Sequence, residues 1–407
     1  MGTKPHVCHI ITRLIVGGAQ ENTILTCQGL HERGWRVTLI TGQEAGPEGH
    51  LLDEARRTGY EVIVLDSMRR AINPIADRRA LLDLTDLLAR LRPDVIHTHS
   101  SKAGILGRFA ARNLRLGGTA AKRGTHRAPV VLHTIHGMSF NRTQSWMTQA
   151  CYRFLERQAA RSTDCIITVA DAMIDQAVEA RIAPRERFRT VYSGMRTDWF
   201  SPELYDRRAI RQGWGFTDEH VVVGAIARLF RNKGYEQLIP AMADAAARRP
   251  ELRFVWVGDG AQRTDYEEEL EFRGLRIRTH LTGLVDPSQV ARTVAGMDLL
   301  VHASQWEGLP RAAVQALLMR VPVISFDIDG APEVVIPGKT GLLVPLNDVD
   351  GLTNAIGEFT GDADRRRAYG QAGRERCLHQ FDWRHMVEEI EKLYRELLAN
   401  QPVKWRV

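Results

Sequence analysis

The residues that follow Trp306 have the types and spacing best suited to chemistry. An acidic loop headed by Glu307 precedes a predicted helix, which offers unpaired N–H groups and a positive dipole end to an anion such as phosphate. Gln315 lies eight residues after Glu307. A helical rise of about 1.5 Å per residue would separate them by roughly 12 Å, the span of two sugars joined by a diphosphate. The intervening loop adds three candidate contacts, Gly308, Leu309 and Pro310.

Two cations stand just before another predicted helix. Arg228 and Lys233 follow the predicted strand Val221–Ile226, and Gly234 opens the helix. Arginine can clamp a phosphate with two hydrogen bonds, whereas lysine acts as a point charge. Cations are unfavourable at a helix start unless an anion binds there. Anion binding is therefore favoured over a merely solvated face.

A pair of glycines, Gly17 and Gly18, follows the first predicted strand. Glycine lets a backbone approach a ligand closely, and the helix that begins here favours phosphate. An ordinary strand–helix turn is the alternative. The loop does not match G-x-G-x-x-G, so dinucleotide binding is weakly supported.

The rest of the chain predicts an α/β protein that positions these loops. Short apolar runs alternate with amphipathic helices in both halves, which predicts two doubly wound parallel sheets. A chain of 407 residues suits two domains, and Gly194, Asp198 and Pro202 indicate a boundary at 198/199. Ligands of open α/β sheets bind at the carboxyl ends of strands.

Composition excludes some classes of protein and leaves others open. No apolar run reaches the roughly 20 residues of a membrane span. The start of the chain lacks the apolar core of a signal peptide. Five scattered cysteines indicate reduced thiols in a cytosolic protein. Residues 1–198 carry a net charge of +9 and the remainder −3, which suggests a phosphorylated substrate, a membrane surface or nucleic acid, or a solvated arginine-rich face.

The acidic segment resembles the E-x7-E element of family 4 glycosyltransferases, which have the GT-B fold. The stretch from Arg228 to Gly234 resembles the same family's element in which a glycine and an arginine precede a lysine–glycine pair. Two positions depart from the pattern: Gln315 stands in place of the second glutamate, and Ala227 in place of the first glycine. The resemblance covers nearly the whole chain, in the expected order.

The resemblance implies two Rossmann-like domains that face a cleft. Residues 1–198 would form the acceptor-side domain, and residues 199–382 would bind the nucleotide sugar. A final amphipathic helix, within 383–407, would pack back on the first domain.

The resemblance also implies a role for each candidate residue. Glu307 would lie at the donor hexose, and Gln315 at the ribose hydroxyls. The remaining implied contacts are Arg228, Lys233, Gly17 and Gly18 at the diphosphate, Gly308, Leu309 and Pro310 around it, His136 at the sugar, and Gly258 and Leu284 in loops around the base. A structural role for His136 is the less favoured alternative, whereas for His97 and His99 a structural and a functional role are evenly balanced.

The function implied is metal-independent transfer, with retention of configuration, of a hexose or N-acetylhexosamine. The donor would be a nucleoside diphosphate sugar, UDP rather than GDP, and the acceptor a saccharide or a lipid-linked group. No cofactor is expected. Asp327 and Asp329 form a D-x-D pair that could hold a cation, but the family binds no metal there. An epimerase or hydrolase with this fold, and a non-catalytic scaffold suggested by Gln315, remain alternatives.

Residues 108–127 form a basic segment without an acidic residue. Because aromatic residues are nearly absent from it, nucleic-acid binding is disfavoured. Contact with anionic lipid, near a polyprenyl-linked acceptor at the inner face of the cell membrane, is one hypothesis. A solvated loop is the alternative.

Overall fold

The computed structural model describes residues 4–43, 51–116, 128–141 and 144–400. The chain divides into two compact units: Met1–Met195 with Trp383–Val407, and Arg196–Asp382. The first division therefore falls at 195/196, three residues before the boundary expected from the sequence. The predicted α/β class with two doubly wound parallel sheets is confirmed.

The first unit is built on a seven-stranded parallel sheet of order β3-β2-β1-β4-β5-β6-β7. The strands are β1 His6–Ile11, β2 Arg36–Gly42, β3 Glu61–Leu65, β4 Val95–His99, β5 Val130–Ile135, β6 Cys165–Thr168 and β7 Phe188–Thr190. The helices are α1 Gly18–Glu32, α2 Leu52–Arg57, α3 Pro74–Leu91, α4 Ser101–Leu116, α5 Trp146–Ala160 and α6 Ala172–Glu179. Strands β1, β4 and β5 are buried along their whole length, as expected of parallel strands covered on both faces.

The second unit repeats this design with a six-stranded parallel sheet of order β10-β9-β8-β11-β12-β13. Its strands are β8 Val221–Ile226, β9 Leu252–Val257, β10 Thr279–Gly283, β11 Leu299–His302, β12 Val323–Phe326 and β13 Gly341–Val344. Its helices are α7 Arg207–Gly213, α8 Tyr235–Arg248, α9 Arg263–Phe272, α10 Val290–Ala295, α11 Arg311–Leu318, α12 Ala331–Val334, α13 Val349–Gly361 and α14 Ala363–Gln380.

In both sheets the strand order reverses beside the first strand. The chain runs outward from β1 to β3 and returns to the other side of β1 with β4, and β8 and β11 are neighbours for the same reason. Loops at the carboxyl ends of two such strands leave in opposite directions and open a crevice. Gly17, Arg228 and Glu307 lie in the loops that follow β1, β8 and β11, and His99 is the last residue of β4.

The last helix, α15 (Trp383–Ala399), belongs to the first unit. Its apolar stripe joins the core around α1, and the Trp35 indole N–H donates to Glu391 Oε1 at 3.1 Å. Arg33 adds ion pairs to Glu388 and Glu391. A side chain at Gly29 would meet α15, since its Cβ would lie 2.8 Å from Val387.

Some elements differ from those the sequence predicts. The alternation of apolar runs does not predict helices α7 and α12 or strand β13: α7 is short and rich in arginine, and α12 and β13 have only four residues each. The sequence predicts the seventh strand at 190–192, and it lies at Phe188–Thr190. No helix within the described ranges is long and apolar enough to cross a bilayer.

The contact between α1 and α15 can be tested with a matched pair of glycine substitutions. Gly29→Leu should lower the free energy of unfolding by about 2 kcal/mol, because the new side chain must displace α15. Gly357→Leu in α13, where a Cβ meets nothing within 4 Å, should raise it by about 0.5–1 kcal/mol through helix propensity. Denaturant unfolding followed by circular dichroism measures both. Equal effects of the two substitutions would contradict this packing.

Candidate functional site

A half-buried ion pair lies at the reversal point of the second sheet. Lys233 Nζ is 2.5 Å from Glu307 Oε1, and the two side chains are only 17% and 21% exposed. His302 Nε2 lies 3.7 Å from the same oxygen. Burial raises the pKa of Glu307, but Lys233 and His302 outweigh it and hold that pKa below its usual value. Glu307 is therefore a carboxylate at neutral pH.

Gly234 allows the two partners to meet. Lys233 ends a short 3-10 turn, and Gly234 then adopts φ of +76° before α8 begins. A Cβ at Gly234 would lie 1.8 Å from the carbonyl oxygen of Ala303, in the loop that leads to Glu307. The loops after β8 and β11 thus touch through main chain, which only glycine permits in this conformation.

Asp329 fixes the other side of Glu307. The Glu307 backbone N–H donates to Asp329 Oδ2 at 2.7 Å, and the Gly330 N–H donates to the Gly308 carbonyl at 3.2 Å. Asp329 itself has φ of +45°. One member of the D-x-D pair therefore orients the acidic loop, while the other, Asp327, is exposed.

The helix after Glu307 begins later than the sequence predicts. Pro310 stands before α11 as its N-cap, and only residues from Arg311 onward are helical. The separation of roughly 12 Å between Glu307 and Gln315 uses the rise of a helix for all eight residues. Residues 307–310 form the loop that the sequence predicts, so the helical rise applies only from Arg311. Gln315 is half-buried on α11, while the side chains of Leu309 and Pro310 are buried.

Main-chain hydrogen bonds join the loops after β8, β9 and β10. Leu229 N–H donates to the Asp259 carbonyl at 3.0 Å, and Gly258 N–H to the Gly283 carbonyl at 2.9 Å. A Cβ at Gly258 would lie 2.1 Å from the Ala227 carbonyl oxygen. Two residues predicted to contact the nucleotide sugar, Arg228 and Leu284, are exposed at this carboxyl edge of the sheet. The Arg228 guanidinium lies 5.0 Å from the centroid of the Phe230 ring.

In the first unit, Gly17, Gly18 and His136 lie at the carboxyl edge of the sheet. Gly17 has φ of 175°, an extended conformation open to any residue, and Gly18 begins α1. Local backbone geometry therefore does not require the first glycine. His136 follows β5 and is half-buried.

Behind His136 lies a cluster of buried histidines. His99 Nδ1 is 3.1 Å from His136 Nε2, and His9 Nδ1 is 2.9 Å from His99 Nε2. His97 joins the cluster by ring contacts with His99 at 4.3 Å between centroids. The sequence singles out His97 and His99 without deciding their role, and the structure places both within the core.

The basic segment holds part of its charge inside the protein. Arg108 on α4 is fully buried and pairs with Glu156 at 2.6 Å, and Arg115 pairs with Asp164 at 2.5 Å. These two arginines are therefore engaged internally. Residues 117–127, the centre of the predicted lipid contact, lie outside the described residues.

Sequence reasoning misses four residues of these sites: His302, Asp329 as a loop anchor, His9, and Tyr394 of α15, whose hydroxyl lies 2.5 Å from His97 Nδ1. His9 and His302 are polar residues in strands that are otherwise largely apolar, and this is the available signal. Tyr394 falls on the apolar stripe of α15, which the sequence attributes to packing alone. Asp329 acts through its contact with Glu307 N–H, which sequence spacing does not reveal.

Two family models match the chain. The model described as glycosyl transferases group 1 matches residues 206–376, and the glycosyl transferase 4-like domain matches residues 17–194. The matches fall within the two halves of the chain that carry the second and first sheets.

Several relatives match most of the chain. An Escherichia coli UDP-Gal:alpha-D-GlcNAc-diphosphoundecaprenol alpha-1,3-galactosyltransferase is 26% identical, covering 98% of this chain and 99% of the relative. A Streptomyces fradiae 2-deoxystreptamine N-acetyl-D-glucosaminyltransferase is 30% identical, covering 86% and 84%. Among solved structures, Anabaena HepE in complex with UDP and glucose has a TM-score of 0.80 at 19% identity, covering 96% of this chain and 100% of that one, which shows a shared fold.

The buried histidines predict a marked sensitivity to acid. Burial lowers the pKa of His302 to about 4 and that of His9 to about 3, and places the pKa of His97 and His99 well below 6.5. As pH falls below 6.5 the unfolded chain takes up protons that the folded chain refuses, so stability is lost. Each histidine contributes up to about 1.4 kcal/mol per pH unit.

The free energy of unfolding should fall between pH 7 and pH 4.5. His302→Gln should reduce the slope of this free energy against pH by the contribution of one proton. His379→Gln, at an exposed position of the same unit, is the matched control and should leave the slope unchanged. A slope that is the same in all three proteins would refute the assignment of His302.

Proposed function

Because the chain belongs to the group 1 glycosyltransferases, family 4 of the GT-B fold, we propose that it transfers a hexose or N-acetylhexosamine from a UDP-sugar, with retention of configuration. The proposed acceptor is a saccharide or a polyprenyl-diphosphate-linked sugar. The observation that carries this proposal is the half-buried, ionised Glu307 beside Lys233 at the reversal point of the second sheet. The donor and acceptor classes take support from the Escherichia coli relative that spans the same length.

In the proposed reaction the bond between the anomeric carbon and the diphosphate oxygen breaks, and its electrons remain on the diphosphate. Lys233 has three N–H donors, so its bond to Glu307 leaves two for phosphate oxygens. Arg228 adds a second cation on the same edge. Fixed positive charge that meets developing negative charge stabilises the transition state.

The acceptor hydroxyl then bonds to the anomeric carbon on the face that the diphosphate leaves, and its proton passes to a phosphate oxygen. Glu307 orients the sugar hydroxyls and offsets the positive charge at the ring. Its pairing with Lys233 and its lowered pKa make it a poor nucleophile, so we assign no covalent intermediate to it. The role that we propose for His136 is to orient the sugar.

The cations of the protein take the place of a metal in this proposal. Arg228 and Lys233 supply positive charge where a divalent ion would otherwise screen the diphosphate. We therefore propose metal-independent transfer without a cofactor. Lipid contact through 108–127 remains a prediction.

The transfer itself is tested by supplying UDP- and GDP-hexoses with a synthetic polyprenyl-diphosphate sugar and identifying products. Transfer should occur with a UDP-sugar and persist in EDTA. Glu307→Gln should lower kcat by about 10²–10³-fold, as expected when a charge that acts in the transition state is lost. Asp327→Asn, a neutralised acid at an exposed position near the same loop, is the control and should retain full activity.

Each remaining outcome identifies one of the alternative functions. Free sugar or an epimerised donor without acceptor would point to a hydrolase or epimerase. No binding of any nucleotide by calorimetry would favour the scaffold. Loss of transfer in EDTA with recovery on adding Mg²⁺ would contradict metal independence.

Gln315 offers a test of the ribose contact. A glutamine presents one acceptor oxygen where a glutamate presents two charged ones. Gln315→Glu should therefore tighten UDP binding by about 1–2 kcal/mol, roughly 5–30-fold in Kd. Gln371→Glu, on the exposed face of α14, makes the same charge change elsewhere in the unit and should not alter Kd. Equal Kd values for all three proteins would remove Gln315 from the ribose site.

A further inference from the structure

A continuous chain of side-chain hydrogen bonds runs from His136 into the core of the first unit. His136 Nε2 meets His99 Nδ1 at 3.1 Å, His99 Nε2 meets His9 Nδ1 at 2.9 Å, and His9 Nε2 meets Tyr394 Oη at 3.4 Å. Tyr394 Oη also meets His97 Nδ1 at 2.5 Å, where the chain turns.

The last hydrogen bond of the series is made by Thr134, whose hydroxyl lies 2.7 Å from His97 Nε2. The series thus links strands β1, β4 and β5 to helix α15. We call these six side chains the histidine chain: His136, His99, His9, Tyr394, His97 and Thr134.

The inner histidines are neutral. His9, His97 and His99 are no more than 1% exposed, and burial places their pKa far below the usual range. A neutral imidazole has one N–H and one lone pair, on different nitrogens. A ring that donates from one nitrogen must therefore accept at the other.

This rule makes the histidine chain all-or-none. In one sense, His9 donates to His99, and His99 donates to the Nε2 of His136. In the opposite sense, His136 donates from Nε2 to His99, and His99 to His9. Tyr394 and His97 complete either sense, because a hydroxyl both donates and accepts. Reversing any one bond requires all the others to reverse.

We propose that His99, His9 and Tyr394 are positioning residues that fix the tautomer and ring orientation of His136 through this chain. When His136 Nε2 accepts, the ring proton lies on Nδ1; when Nε2 donates, a neutral ring carries the lone pair on Nδ1. The chain thereby decides whether His136 offers its second nitrogen as donor or acceptor. The consequence for catalysis rests on the role proposed above for His136.

A metal site among the buried rings fits these contacts less well. His9, His97 and His99 can each offer a ring nitrogen within 4.8 Å of the others, as a metal site would require. However, three neutral rings bring no negative charge to offset a buried dication, and a single hydrogen bond accounts for the 2.9 Å between His9 and His99. Simple apolar packing also fits less well, because it does not require polar rings at all.

The histidine chain gives helix α15 a role besides packing on α1. Tyr394 is the only member contributed by that helix, and Trp35 holds its ring edge-on at 5.5 Å between centroids. Glu391, one turn earlier, accepts from Trp35. The last helix is in this way connected to the ring orientation of His136, a residue far earlier in sequence.

The test uses imidazole ¹⁵N shifts of the full-length protein labelled at histidine, assigned by single substitutions. In the wild-type protein His9, His99 and His136 should each show one tautomer. Tyr394→Phe, which removes only the hydroxyl, should change the tautomer populations of all three. Tyr60→Phe removes a buried tyrosine hydroxyl of the same core that lies outside the chain, and should change none.

Turnover provides the second readout. Tyr394→Phe should lower kcat by about tenfold with the donor KM unchanged, the lower end expected when a partner that orients a functional side chain is lost. Both tyrosine variants are assayed at a temperature at which they are fully folded. His99→Phe, which breaks the bond next to His136, should lower kcat at least as much. If His99→Phe does not fold, Tyr394→Phe alone decides.

Each result of these measurements has a distinct meaning. Unchanged tautomers in Tyr394→Phe, or an equal loss of kcat in Tyr60→Phe, would overturn the proposal. A stoichiometric metal found by elemental analysis and lost in His97→Gln would overturn it in favour of a metal site. Tautomers that respond to Tyr394→Phe in a protein without transferase activity would uphold the chain and reject the proposed function instead.

Discussion

The second unit depends on keeping one half-buried carboxylate charged. A charge that is largely removed from water is tolerated only when it is paired and hydrogen-bonded. Glu307 meets this condition through Lys233, and its loop is held by Asp329. The pair in turn depends on Gly234, because any side chain there would push the loop after β8 away from the loop after β11. Sheet order, glycine and ion pair are therefore parts of one constraint.

At the sheet edge behind His136, the first unit stabilises its buried polar groups without charge. There they are neutral rings and hydroxyls that satisfy one another, from His136 through to Thr134. Hydrogen-bonded neutral groups avoid the cost of desolvating an ion, but each must find a partner. The result is an ordered arrangement behind His136, whereas Glu307 rests on an ion pair. The two sheets share a topology and differ in how they stabilise a polar edge.

The sequence predicts most of the strands and helices, but it does not predict which side chains contact one another. Alternating apolar runs predicted the parallel strands, because buried strands and amphipathic helices have distinct periods. Short elements such as α12 and β13 escaped, since four residues establish no period. Glu307 and Lys233 were identified by motif, yet their pairing was not, because they lie 74 residues apart. Tyr394 was hidden for a similar reason: its partners His9 and His97 are hundreds of residues away.

The glutamine at position 315 can be understood from the charge balance of this edge. The negative charge of Glu307 is offset by Lys233 within the unit, so the site does not need a second carboxylate for its own stability. A diphosphate that approaches the edge is repelled by every uncompensated acid there. Glutamine keeps an acceptor for a ribose hydroxyl and removes one such repulsion, while it forgoes the stronger charge-assisted bond. The two effects oppose each other, and the tighter binding that we expect for Gln315→Glu requires the charge-assisted bond to be the larger of the two. Both effects concern nucleotide affinity, so the chemical step is left to Glu307, Lys233 and Arg228.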